Sequence, residues 1–188
     1  MREAPFKEKK PRKISIQTFL EKYRKGAPGV KYEFNNGIIE KTEAMKFKGQ
    51  FIAVNILNQF EKTPAAKLSS KIVQELEIWT SKNQWRKPDM AYITLEQTRA
   101  AADGAEPVPE FIIEVISKND EVNVVKGKVY EYFKAGVKIL WHIFPDFHRV
   151  EIYRSPDEIE VCSGQKTCTA EPVVEGFNIA AEAIFKKP

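Results

Sequence analysis

The sequence predicts an α/β (α+β) fold, and three observations predict it. Some stretches alternate apolar and polar residues, as in KIVQELEIWT at 71–80, which is the period of a half-buried strand. Others repeat apolar residues at helical spacing, as in DEVNVVKGKVYEYFKAG at 120–136. The two kinds are intermixed along the chain rather than segregated, so sheet and helices share one core.

Taken in order, Ser15 is placed to cap a helix in which Ile16, Phe19, Leu20 and Tyr23 recur, and Gly26, Pro28 and Gly29 end it. VKYEFNNGIIEK at 30–41 reads as a hairpin turning at Asn35-Asn36-Gly37. Residues 47–62 form a helix with a broad apolar face, closed by Pro64. Three strand-like runs follow: 71–80, 88–94 and the most apolar, 110–117. Between the last two, EQTRAAADGAEPVP reads as a flexible loop. Residues 120–136 make a helix with Val125, Val129, Tyr132 and Phe133 as its stripe and Gly136 as its C-cap. VKILWHIF and RVEIYR are strands across a Pro145-Asp146 turn, and residues 171–185 suggest a short strand and a closing helix.

Composition narrows the class. With 188 residues, 43% hydrophobic and 30% charged, the chain has the make-up of a soluble globular protein large enough for a real core. No apolar run reaches the roughly 18 residues of a membrane span, and the basic N-terminus lacks a secretory apolar core. Cys162 and Cys168 are the only cysteines, without CxxC spacing, and read as reduced thiols of a cytoplasmic protein. His142 and His148 are the only histidines, which argues against zinc or haem. The net charge of +4 belongs wholly to residues 1–13, a basic tail with six basic and two acidic residues; residues 14–188, read as one domain, carry 24 of each sign.

The chemistry-bearing residues stand out as misplaced charge. Glu114 sits inside FIIEVI, where an ionised carboxylate taken out of water costs several kcal/mol or more unless a cation meets it. Asp89 follows Pro88, which marks a strand start, and leads into apolar Met90, Ala91, Tyr92 and Ile93. Two acids on strands that neighbour one another need positive charge between them. A Mg²⁺ ion, which takes few carboxylates plus water and phosphate oxygens, fits two acids without histidines. Glu33, between Tyr32 and Phe34, is a third acid of interest. Lys118, Lys126 and Lys128 are the nearby basic candidates; the last two flank the apolar stripe on opposite sides, and spacing does not choose between them. Gly127 is unexpected inside a helix and raises the question of a close approach there.

The ordered set KYEFNNGIIE, RKPDMAYI, FIIEVIS, KVYEYFKAGVKILWHIFP, RVEIYR and GFNIAAEAIF resembles the Uma-two family of restriction-endonuclease-like proteins, within the PD-(D/E)XK superfamily. The resemblance covers nearly the whole chain after the tail. It implies a restriction-endonuclease-like core, a mixed β-sheet flanked by helices, with Asp89 and Glu114 as metal ligands and the carbonyl of Val115 as a further one. It implies Glu33 beside the same site and Mg²⁺ or Mn²⁺ as cofactor. The usual lysine two residues after the second acid is absent, since Ile116 stands there. Family members carry it on the next helix, at the spacing of Lys128, and Ser117 matches a position that caps or orients the site. Lys48 replaces the usual histidine before Gly49, Leu140 an aromatic residue, and Phe144 an aspartate.

The implied activity is metal-dependent hydrolysis of nucleic acid, DNA foremost, by an endonuclease. A homodimer would suit two cuts in a duplex. Two other readings compete. One is a catalytically inactive member gripping nucleic acid through the tail, Lys82, Arg86 and Lys87. The other is a partner-binding protein in which Asp89, Glu114 and Lys128 form only an ion network.

Overall fold

The computed structural model describes residues 12–43 and 49–188. Most of the basic tail and the first two residues of the helix expected at 47–62 lie outside them. Helix α1 (Ile16–Lys22) starts at Ser15, whose side chain accepts the Thr18 N–H. Strands β1 (Val30–Asn35) and β2 (Ile38–Glu43) form the expected hairpin. Its turn places Asn36 at φ 52° and Gly37 at φ 94°, the left-handed pair that an Asn-Gly turn supplies.

Helix α2 (Gln50–Phe60) follows, and α3 (Pro64–Lys67) is a turn of helix that Pro64 opens rather than forbids. The run at 71–80 is not one strand. It splits into β3 (Lys71–Gln74) and β4 (Ile78–Ser81), which enter different sheets, with Glu75 at φ 51° at the break. Strand β5 (Gln84–Arg86), unforeseen, pairs with β4 and β1, and β6 (Met90–Ile93) follows Asp89. The stretch expected to be a loop holds helix α4 (Leu95–Ala102), opened by a capping box between Thr94 and Gln97.

Strand β7 (Phe111–Val115) and helix α5 (Val122–Ala135) stand as predicted, α5 ending at Gly136 with φ 112°. Strands β8 (Ile139–Phe144) and β9 (Arg149–Ser155) flank a 3-10 turn at Pro145–Phe147. Strands β10 (Glu158–Ser163) and β11 (Thr167–Thr169) had no clear signal; β12 (Asn178–Ala180) and α6 (Ala181–Ile184) close the chain. Cys162 and Cys168 are buried, free thiols.

The central sheet has six strands in the order β10-β9-β8-β7-β6-β3, antiparallel except for β7 with β8. That parallel pair requires a crossover, and α5 is it. On one face Phe111, Ile113, Trp141 and Ile152 pack with Ile52, Ile56 and Phe60 of α2 and with Phe177. On the other, Ala91, Ile112, Leu140 and Tyr153 pack under Val129 and Tyr132 of α5. Both faces of β7 are therefore covered, which explains its near-continuous apolar sequence. A second sheet, β2-β1-β5-β4, buries Phe34 and Trp85 against Phe19 of α1. No helix among the described residues is long and apolar enough to cross a membrane.

Candidate active site

Strand register builds the site. Ala91, Ile112, Leu140 and Tyr153 form one row across β6, β7, β8 and β9, all apolar and all under α5. Two residues further along each strand that faces the same way, the row becomes Asp89, Glu114, His142 and Glu151. Asp89 lies just before β6, and its N–H approaches Glu114 Oε2 at 3.4 Å. The two acids singled out from the sequence are thus neighbours, on strands that pair, at the end of the apolar face.

Helix α5 and the small sheet supply the cations. Lys128 Nζ lies 2.7 Å from Glu33 Oε2 and 3.3 Å from Glu114 Oε1. Tyr132, one turn on, donates its hydroxyl to the same Glu114 oxygen at 2.7 Å. Glu33 is 0% exposed; it takes the Lys87 N–H on Oε1 and Arg86 and Lys128 on Oε2. Burial pushes its carboxyl up, but Lys128 and Arg86 outweigh burial and hold it near 2. Lys126 Nζ instead donates to Tyr153 Oη at 2.8 Å, so the structure separates the two lysines that spacing left undecided.

The sequence reading missed Lys31. Its Nζ is 2.6 Å from Asp89 Oδ1 and 3.2 Å from the Lys87 carbonyl. Asp89 Oδ2 accepts the Val115 N–H at 2.7 Å. For Lys31 the sequence offered only its place two residues before Glu33, which puts both on one side of β1; that both are buried is seen in the structure alone. Tyr132 figured in the sequence only as part of the apolar stripe, and His142 only as one of two histidines, too few for zinc or haem. His142 is 1% exposed, and its Nδ1 has no hydrogen-bond partner among the described residues. Burial holds its ring neutral, down to about 4.

Other expected residues stand apart. Arg86 is 1% exposed and held by Glu33, Glu40 and Glu131, so it is a buried structural cation and not a surface grip for nucleic acid. Ser117 orders the turn before α5: its N–H donates to Asp120 and its Oγ accepts the Asn119 N–H. Lys118 lines a second, smaller hollow beside Asp89 and Val115, and among the described residues it makes no ion pair with the cluster. A Cβ on Gly127 would meet nothing within 4 Å, so no close approach explains that glycine.

The site opens into a cleft of about 540 Å³ lined by Lys31, Asp89, Glu114, Lys128 and His142, with β2 along one wall. The connected cluster holds three cations, Lys31, Arg86 and Lys128, against five carboxylates, Glu33, Glu40, Asp89, Glu114 and Glu131. Among the described residues, two negative charges are left over. Consistently, burial, opposed by Lys31 and reinforced by Glu114, pushes the Asp89 carboxyl up to about 6. A divalent cation on Asp89 and Glu114 matches both the excess charge and the hard oxygen donors. The described residues gather no group of three or more acidic, histidine or cysteine ligands, so water and substrate oxygens would complete such a shell.

A family model described as "Putative restriction endonuclease", the Uma2 family, matches residues 16–182. The chain belongs to the Uma2 family. The match spans α1 to α6 and therefore includes every residue of the cluster. A crystal structure of "a putative nuclease belonging to DUF820" from Anabaena variabilis superposes with a TM-score of 0.75. It is 18% identical over 92% of this chain and 97% of that one, a likeness that establishes the fold. A search of curated proteins returns no match. Family and fold together support a nuclease function, with nucleic acid as the substrate class that the Uma2 family implies.

Proposed function

We propose that the chain is a divalent-metal-dependent endonuclease that hydrolyses phosphodiester bonds of nucleic acid, most directly DNA, with Mg²⁺ or Mn²⁺ as cofactor. The observation that carries this reading is the adjacent pair Asp89 and Glu114 within a buried cluster in which the described carboxylates outnumber the described cations by two. Asp89, Glu114 and the Val115 carbonyl would hold the cation, which lowers the pKa of water and offsets charge on the scissile phosphate when bound.

The protein's own groups do the rest. Lys128, kept charged because Glu114 and Glu33 outweigh its burial, orients the attacking water or stabilises the negative charge that develops on the phosphate. Glu33 fixes Lys128 in place, and Tyr132 fixes the Glu114 carboxylate. The cleft supports a metal requirement in a second way. Among the described residues six acidic and three basic ones line it, so a bound cation would ease the approach of a polyanion.

The test is incubation of supercoiled plasmid with the purified protein in Mg²⁺ or Mn²⁺, beside Asp89→Ala and EDTA controls. Nicking that disappears in both controls is the expected result. Nicking that survives Asp89→Ala would sink the assignment.

A further inference from the structure

We propose that Lys31 is a resident counter-cation of the metal site: its ammonium stands on Asp89 in the metal-free protein, and cation binding favours its moving away. The inference rests on the metal-dependent reading above and adds a residue that neither the motif order nor the family match assigns.

The geometry is specific. Asp89 Oδ2 accepts the backbone N–H of Val115, so each of its oxygens already has one partner. Lys31 Nζ occupies Oδ1 at 2.6 Å, with both side chains less than a tenth exposed. A divalent cation on the same oxygen would sit within a few ångströms of an ammonium, and in a partly dry site their repulsion is strong. The two cations therefore compete for Asp89, and a bound divalent ion favours an ammonium that has moved away.

Lys31 also has somewhere to go, whereas Lys128 does not. Lys128 is clamped between Glu33 and Glu114, and Glu33 keeps its hold whether or not Glu114 binds metal. Among the described residues Lys31 has Asp89 as its ion-pair partner and a neutral carbonyl, that of Lys87, as its second contact. It comes from β1 of the small sheet on a flexible four-carbon stem and lines the cleft in which a phosphate would lie. Displaced from Asp89, its charge turns toward that phosphate. The arrangement lets the fold satisfy a buried aspartate without metal, at the expense of metal affinity.

Calorimetric titration with Mn²⁺ tests this on four proteins: wild type, Lys31→Gln, Lys31→Met and Glu114→Gln. Removing the competing charge should tighten Mn²⁺ binding about tenfold or more in both Lys31 variants, and Glu114→Gln should abolish it. Thermal melts should show a larger Mn²⁺-dependent rise for the Lys31 variants than for wild type. Should Lys31→Met not fold without metal, Lys31→Gln, which keeps a donor to Asp89 without the charge, carries the comparison. Lys31 variants that bind Mn²⁺ no tighter than a wild type that does bind it would overturn the inference and leave the nuclease reading standing. Absence of Mn²⁺ binding in all four would overturn both. A Mn²⁺-bound structure with Lys31 still at hydrogen-bond distance from a coordinating Asp89 would also refute it.

Discussion

Glu114 shows how one residue is held. Its Oε1 takes both the Lys128 ammonium and the Tyr132 hydroxyl, so two side chains one helical turn apart fix a single carboxylate oxygen. Lys128→Met leaves Glu33 and Glu114 short of a buried cation, and we expect a loss of about 3–5 kcal/mol in chemical denaturation together with loss of cleavage. Tyr132→Phe removes one hydrogen bond and should cost about 1–2 kcal/mol, with folding retained. Lys118→Ala, outside the network, should cleave and melt as wild type does; a large loss there would relocate the site. Asp89, Glu114 and Glu33 were legible because a carboxylate in an apolar run is anomalous by itself. Arg86 was misread because a basic residue beside Lys87 suggests surface, and its three carboxylates come from β1, β2 and α5, remote in sequence. Lys31 was passed over because its partner, 58 residues on, is known only once the two sheets meet.

At the scale of elements, the strands and helix that build the site were the readable ones, and the errors have local causes. Strand β7 and helix α5 each bury enough apolar surface to impose their own periodicity on the sequence. Helix α4 buries no residue, so it has no apolar stripe to read. Its signal was the capping box, and Thr94→Ala should lower stability by about 1 kcal/mol in a denaturant titration. The break between β3 and β4 had no breaker residue, since Glu75 takes a positive φ that tertiary pairing imposes. Two glycines of α5 give opposite expectations. Gly127 has open space and ordinary helical backbone, so Gly127→Ala should stabilise by about 0.5–1 kcal/mol. Gly136, also in open space but at φ +112°, should lose about 1 kcal/mol as Ala through backbone strain alone. Equal effects at the two positions would contradict this account.

For the molecule as a whole, the buried charges set how stability follows pH. His142 ordinarily titrates near 6.5 and is held near 4, so the stability it contributes is present above about 6.5 and is lost as pH falls toward 4. Asp89 runs the other way. Its carboxyl, raised from 3.8 to about 6, holds its proton more tightly in the folded state, so folding gains as pH falls across that window. Each shift is worth on the order of 3 kcal/mol, with opposite sign, and the two offset between about pH 6.5 and 4.5. Glu33 then has no opponent: lowered from 4.5 to about 2, it contributes stability above 4.5 that disappears as pH falls through that range. Thermal melts of the metal-free protein should therefore change little between pH 6.5 and 4.5 and fall steeply below. Leucine at position 142 separates the contributions, because the Nδ1 of His142 has no hydrogen bond among the described residues to give up when it is replaced. In His142→Leu the Asp89 contribution is unopposed, and the melting temperature should rise as the pH is lowered from about 6.5 to 4.5. A variant that instead parallels the wild type across that interval would show that His142 is not the group balancing Asp89.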